Sequence, residues 1–152
     1  MSIKALKEQK GFTLLELLIV IVIIGILALL IIPNITSAPK KARDTQRKTD
    51  LTTVRKGLEE YFVNNNSYPA GTDYTGLNDL TLTSTGPIMK VVPVDPKNTG
   101  ALVYKYTPAN NNTTYTLTAC LENPGDNGAN VTSDNTCSTP AGGKIFTLNN
   151  AN

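Results

Sequence analysis

One carboxylate stands alone in an apolar segment near the start of the chain. Glu16 is the single charged residue between Gly11 and Lys40. As a helix, the stretch from Phe12 to Ile32 would cover roughly 31 Å, which matches the hydrocarbon core of a bilayer. A carboxylate in such a stretch costs about 2.5 to 3.5 kcal/mol at the bilayer centre and usually marks function. Two interpretations are open: Glu16 reaches the headgroups, or its charge works inside the apolar segment.

The two cysteines, Cys120 and Cys137, are the next residues with a defined chemistry. Lysines at positions 4, 7 and 10 precede the apolar segment, so the positive-inside rule places the C-terminal part of the chain across the membrane. An even number of cysteines outside the cytoplasm predicts a disulfide. Closing this loop would stabilise the fold by about 3 kcal/mol in the chain-entropy model. Two free buried thiols are the alternative.

The composition excludes most catalytic and metal chemistry. The chain has no His and only two Cys, which removes His-based triads and most zinc sites. No nucleophile with a base, phosphate-binding glycine loop or catalytic carboxylate pair is suitably spaced, so we predict that the protein is not an enzyme. Calcium takes six to eight oxygen ligands, and its weak candidates lie in an Asn-rich loop: Glu122, Asp126 and Asp134. A solvated loop is the simpler interpretation, and no other cofactor is predicted.

The charge balance excludes a strongly basic surface for nucleic acid. The formal net charge of +2 arises before Phe12, where three lysines outweigh Glu8, and the remaining basic and acidic residues are equal in number. The length beyond the N-terminal helix suffices for one small domain.

The apolar segment is followed by two prolines, Pro33 and Pro39. No small-residue cleavage site follows it, which argues against an ordinary secretory signal peptide. A proline inside a helix removes a hydrogen bond and kinks it. Either one long kinked helix continues through both prolines, which we favour, or Ser37 caps a second helix. Gly25 weakens the first part by about 1 kcal/mol relative to Ala.

From about residue 40 to 64 the sequence predicts an amphipathic helix that ends at the asparagines 64–66. Its apolar residues recur at steps of three and four: Leu51, Val54, Leu58 and Phe62. Opposite charges at helical spacing support it, namely Asp44 with Lys48 and Lys56 with Glu60. A basic cluster belongs to this helix: Lys40, Lys41, Arg43, Arg47 and Lys48. We interpret it as a solvated face; contact with anionic headgroups or with a neighbour's acidic residues is the alternative.

The C-terminal part predicts a small antiparallel sheet behind a long connection. Residues 67–100 carry Pro and Gly throughout, and their expected buried residues are Ile88, Met89, Val91 and Val92. Three strands are expected at 102–107, 113–121 and 144–148, the first two as a hairpin around residues 108–112. In the second strand one alternating set should cover the helix: Tyr115, Leu117, Ala119 and Leu121.

The residues around Glu16 carry a resemblance to a known family. The sequence Lys10-Gly11-Phe12-Thr13-Leu14-Leu15-Glu16 resembles the processing site of type IV pilins and type II secretion pseudopilins. The resemblance implies cleavage of residues 1–11 by a prepilin peptidase after Gly11, N-methylation of Phe12, and an assembly role for Glu16. A neighbour's Glu16 would neutralise the Phe12 amine, since paired buried charges are favoured over isolated ones.

The resemblance also implies an architecture and partners. We expect an α+β pilin-like fold in which a long N-terminal helix, with a hydrophobic protruding half and an amphipathic half, packs on a three-stranded antiparallel sheet. The expected segments are a leader (1–11), a transmembrane and filament-core helix (12–35) and a globular domain (36–152). The segment between Gly25 and Pro33 can melt in filaments of this family. Resembling pseudopilins carry calcium in their C-terminal loops, which adds to the weak candidates above.

The function predicted is that of a structural subunit of a type IV pilus, assembled head-to-tail with identical copies into a helical homopolymer. Its implied partners are the prepilin peptidase and methylase, the assembly platform with its ATPase, and the inner membrane. It would begin as a single-pass protein of the cytoplasmic membrane and end in an extracellular pilus. The alternatives are a major pseudopilin of type II secretion and a membrane-tethered adhesion or DNA-binding ectodomain.

Overall fold

The computed structural model describes residues 11–71, 73–81, 86–137 and 143–150, and over residues 30–36 it describes the backbone alone. The chain divides into two units, Met1–Ser37 and Ala38–Asn152. We call the second unit the head. The predicted leader lies outside the described residues up to Lys10.

Helix α1 runs from Leu14 to Asn65 without interruption. Of the two outcomes left open at the prolines, the structure has the continuous helix, whose backbone passes through Gly25, Pro33 and Pro39. Asn66 ends it: this residue takes a left-handed φ of 52°, and its N–H donates to the Phe62 carbonyl at 2.8 Å. Asparagine tolerates this conformation, which closes the last turn of a helix.

Four strands form one antiparallel sheet in the head. They are β1 (Tyr104–Ala109), β2 (Thr114–Leu121), β3 (Val131–Ser133) and β4 (Lys144–Asn149). The spatial order is β1-β2-β4-β3, and each neighbouring pair is antiparallel. The α+β, pilin-like fold class is therefore confirmed, but the expected count of three strands is wrong. Strand β3 is a three-residue edge strand with only Val131 against the core, too short for an alternating pattern.

The predicted hairpin is confirmed with shifted bounds. Strand β1 begins at Tyr104 rather than at residue 102, because Leu102 belongs to a turn in which its N–H donates to the Thr99 carbonyl. Pro108 lies within β1, which an edge strand tolerates because one side of its backbone needs no partner. The turn consists of three asparagines with left-handed φ: Asn110, Asn111 and Asn112.

One hydrophobic core joins α1, the connection and the sheet. Leu51, Val54 and Leu58 of α1 are fully buried, as predicted. The predicted inward set of β2 is also buried: Tyr115, Leu117, Ala119 and Leu121. A smaller cluster contains Leu102, Cys120 and Cys137, the last two joined in a disulfide with a Cα–Cα distance of 5.4 Å.

The connection after α1 contains a 3-10 helix, Tyr74–Thr81, that buries Leu77 and Leu80. The expectation for residues 88–92 is only partly right. Ile88, Met89 and Val92 are partly buried against the core, whereas Val91 is 75 % exposed. The two leucines of the 3-10 helix fill the space that Val91 was expected to occupy.

Candidate functional site: an uncovered helix and a charged cluster in the head

The N-terminal part of α1 presents apolar side chains that nothing in its own unit covers. Phe12 is 90 % exposed and Leu29 is 72 % exposed, and the large aliphatic side chains between them are exposed as well. Burial of such side chains is the main favourable term in association, so this surface needs a partner of apolar chemistry. Among the residues that the structure describes, no helix combines the length and apolar character required to cross a membrane.

Glu16 closes the first turn of α1 in a capping box with Thr13. Its Oε2 accepts hydrogen bonds from the Thr13 N–H at 2.9 Å and from the Thr13 hydroxyl at 2.8 Å. In return, the Glu16 N–H donates to Thr13 Oγ1 at 3.2 Å. The pattern Thr-x-x-Glu satisfies donors that a helix start leaves unpaired. Within residues 11–29, whose side chains are described, no hydrogen bond involves the other carboxylate oxygen, Oε1.

Inside the head, Arg47 is the centre of a buried charged cluster. Its guanidinium has no exposed side-chain area and contacts three carboxylates. Asp95 receives two hydrogen bonds from it, at 2.6 and 3.0 Å. Asp44 Oδ1 and Glu122 Oε1 accept from its Nη1 at 2.8 and 2.9 Å. These residues come from α1, the connection and the end of β2, so one cation joins three parts of the head.

The carboxylates of the cluster have further partners. Asp44 accepts from the N–H groups of Glu122 and Asn123 and so fixes the chain after β2. Glu122 receives two hydrogen bonds from Arg43, both at 2.7 Å, and lies 3.1 Å from Lys97 Nζ. A buried charge is tolerated when it is paired and hydrogen-bonded in this way.

These contacts hold the acidic groups in their ionised form. The hydrogen bond from Arg43, opposed by burial and supported by Arg47 and Lys97, lowers the pKa of Glu122 far below its ordinary 4.5. Burial alone would raise the pKa of Asp95, but hydrogen bonds from Arg47 and from two backbone N–H groups bring it below 3.8. The cluster is therefore ionic at neutral pH.

The three calcium candidates are not brought together. Glu122 pairs with the basic side chains above, Asp126 with Lys48 Nζ at 2.6 Å, and Asp134 with the Thr136 N–H and hydroxyl. Over the described ranges, no group of three or more His, Cys, Asp or Glu is arranged to hold a metal ion. Calcium binding stays a prediction of the resemblance.

Comparisons with known proteins bear on both regions. Residues 6–32 match the family described as the prokaryotic N-terminal methylation motif. The type II secretion system core protein G of Pseudomonas aeruginosa is 36 % identical over 100 residues, which are 59 % of this chain and 69 % of that relative. The protein of the same name from Escherichia coli is 36 % identical over 103 residues, 61 % of this chain and 70 % of that relative. The chain belongs to the type IV pilin and pseudopilin family.

The type IV wide pilus major component PilA4 of Thermus thermophilus represents the pilin side of this family. It is 51 % identical over 63 residues, 41 % of this chain and 48 % of that relative. No solved structure matches the chain significantly. As a member of the pilin and pseudopilin family, the chain is a structural filament subunit and not an enzyme, and it assembles with identical copies.

The predicted site residues of this pilin-family chain fall into two groups. Phe12 and Glu16 lie at the start of the uncovered helix, Gly25 lies within it, and Pro33 is helical in its backbone. Cys120 and Cys137 form their disulfide in the head. The structure does not test cleavage after Gly11, methylation or filament contacts, which stay predictions.

The charged cluster was missed by the sequence analysis. Asp44 pairs with Arg47 instead of Lys48, and Lys48 reaches Asp126, so the expected Asp44–Lys48 pair is wrong. Arg47 is also wrongly placed on a solvated face, since it is fully buried. A signal was available: positions 44, 47, 51, 54 and 58 continue the buried spacing of three and four back to the charged residues.

Proposed function

We propose that this chain is the major pseudopilin of a type II secretion filament. The observation that carries the proposal is the extent of the similarity. The segment through the end of α1 contains only 65 residues, so a match over 100 residues with core protein G must extend into the rest of the head. The match to the pilus component PilA4 covers 63 residues. A type IV pilus subunit is the second candidate, favoured by the higher identity of that shorter match.

Maturation would follow the steps implied by the N-terminal motif. A prepilin peptidase hydrolyses the Gly11–Phe12 peptide bond and leaves a free Phe12 amine, which is then methylated and keeps its positive charge. The matched motif spans these residues, and exposure of the Phe12 side chain leaves the segment accessible to an enzyme.

Assembly would then move α1 from one apolar environment to another. Before assembly the Phe12–Ile32 segment anchors the precursor in the cytoplasmic membrane, and an assembly platform with its ATPase draws it into the filament. There the open Oε1 of Glu16 neutralises the Phe12 amine of a neighbouring copy, because two paired charges in an apolar core cost less than two isolated ones. The pair fixes the offset between copies.

A deletion in the native host separates the candidates. A major pseudopilin predicts that exoproteins accumulate inside the deletion strain while long surface pili persist. Loss of the pili with unchanged secretion would support the type IV pilus instead. Mass spectrometry of the mature chain tests processing, which predicts a start at N-methylated Phe12. An intact Met1 would contradict processing and favour the membrane-tethered ectodomain.

A further inference from the structure

The head exposes apolar side chains on a rigid segment. Among its described residues, three large apolar side chains are strongly exposed: Val63 at 79 %, Val91 at 75 % and Val94 at 61 %. Val91 and Val94 lie three residues apart in the connection, on either side of Pro93. Exposed neighbouring apolar groups on a soluble surface mark contact sites more often than isolated ones do.

The segment that carries these valines is held in place by buried contacts. Asp95 follows Val94 directly and forms the doubly hydrogen-bonded pair with Arg47. Its Oδ1 also accepts from the N–H of Lys97 at 2.8 Å. On the other side, the Tyr74 hydroxyl donates to the Pro93 carbonyl at 2.8 Å. The two valines are therefore preorganised, which reduces the entropy lost when a partner binds.

The outward face of α1 in the head has the complementary character. Between Lys41 and Lys56 every exposed residue is uncharged: Ala42, Thr45, Gln46, Thr49, Thr52 and Thr53. The four threonine hydroxyls donate to carbonyls one turn earlier in the helix, at 2.7 to 3.0 Å. Covering this face would strand neither an ion nor a threonine donor, so its desolvation cost is low.

We propose that Val91 and Val94 of one copy dock on this uncharged face of α1 of a second copy. The occupant is inferred from the family, whose subunits assemble with identical copies, and from continuity, because the face belongs to the helix that carries assembly. A contact between two different surfaces of one chain is heterologous and propagates into a helical filament. This inference rests on the proposed filament function and adds to it a contact between heads.

Cysteine pairs in the full chain test the contact. Val94→Cys is combined in turn with Thr45→Cys, Thr49→Cys and Thr52→Cys, and assembled filaments are treated with a mild oxidant. The native disulfide is buried and stays out of the exchange. At least one pair should give a ladder of covalent oligomers. The matched control combines Val94→Cys with Lys105→Cys, an exposed residue of β1 outside the helix face, and should give none.

A second variant guards against altered assembly of the cysteine chains. Val91→Asp with Val94→Asp should leave the thermal unfolding of the subunit nearly unchanged, because both side chains are exposed, but should reduce filament number at least tenfold. Wild-type filament numbers in this variant, or filaments that give no ladder with any threonine pair, would overturn the docking contact alone. If the wild-type chain forms no filaments, the proposed function itself fails.

Discussion

The two parts of helix α1 solve opposite problems with the same backbone. Over Leu14–Leu29 its apolar side chains are exposed on every side, with Leu14 at 82 % and Leu29 at 72 %. Over the head part, Leu51, Val54 and Leu58 have no exposed area. One stretch is apolar all round, the other along one stripe only. A helix that is apolar all round must find its cover outside its own chain.

The charges in the two parts differ in the same way. Glu16 hydrogen-bonds within its own first turn and leaves one oxygen open, whereas Arg47 spends its donors on three carboxylates of the same head. The first charge is therefore available to a second copy, and the second is consumed in folding. Mutations should separate assembly from stability along this line.

The largest effect is expected at Glu16. Glu16→Val should abolish filaments, because the Phe12 amine of a neighbour would be buried without its counter-charge. The fold of the head should not change, since Glu16 lies outside it. Electron microscopy and thermal unfolding of the membrane-extracted chain measure the two effects. Glu16→Asp, which keeps the charge on a shorter side chain, is the control; normal filaments with Glu16→Val would contradict the registry role.

Arg47 should show the reverse pattern. Arg47→Met leaves Asp95 and Asp44 buried without their cation, and breaking a buried pair costs about 3 to 5 kcal/mol. The free energy of unfolding, measured with urea on the full chain in detergent, should fall accordingly. Arg43→Met is the matched control on the same helix: its side chain is 29 % exposed, so the loss should be clearly smaller. Equal losses in both variants would show that Arg47 is not the centre of the cluster.

Acid should weaken the head through the same cluster. The pKa of Glu122 is lower in the folded head than its ordinary 4.5, so its contribution is complete above about pH 4.5 and is lost as the pH falls further. Urea midpoints at pH 7, 4 and 3 measure this loss, which should be shallower in Arg47→Met. A midpoint independent of pH between 4 and 3 would contradict it.

Alkali should weaken the head through a different pair. Burial and the hydrogen bond to Glu59 raise the pKa of Tyr68 from 10.0 to about 12. Stability from this group is complete below pH 10 and is lost as the pH rises towards 12.

The smallest effect is expected at Thr13. Thr13→Val removes the hydroxyl that completes the capping box, at a cost of about 1 kcal/mol to the start of the helix. Thr13→Ser keeps the hydroxyl and should behave as the wild type. Hydrogen exchange of the first turn of α1 measures the difference; equal protection in both variants would exclude a capping role.

Local sequence pattern was enough to predict the buried faces of the head. Leu51, Val54 and Leu58 follow a helical period, and Tyr115 and Leu117 follow a strand period, so their burial was predictable. Strand β3 and the exposure of Val91 were not. A three-residue edge strand carries no period, and Val91 has the same apolar character as its partly buried neighbour Val92.

The sequence by itself determined the uncovered helix, its lone Glu16 and the family, because a long apolar run and a contiguous motif need no folding to be recognised. Only the tertiary structure decided the fate of Arg47. Asp95 and Glu122 lie 48 and 75 residues from it in the chain, and each looks like an ordinary surface charge. Their convergence depends on how the connection and β2 meet α1, and that geometry exists only once the head has folded.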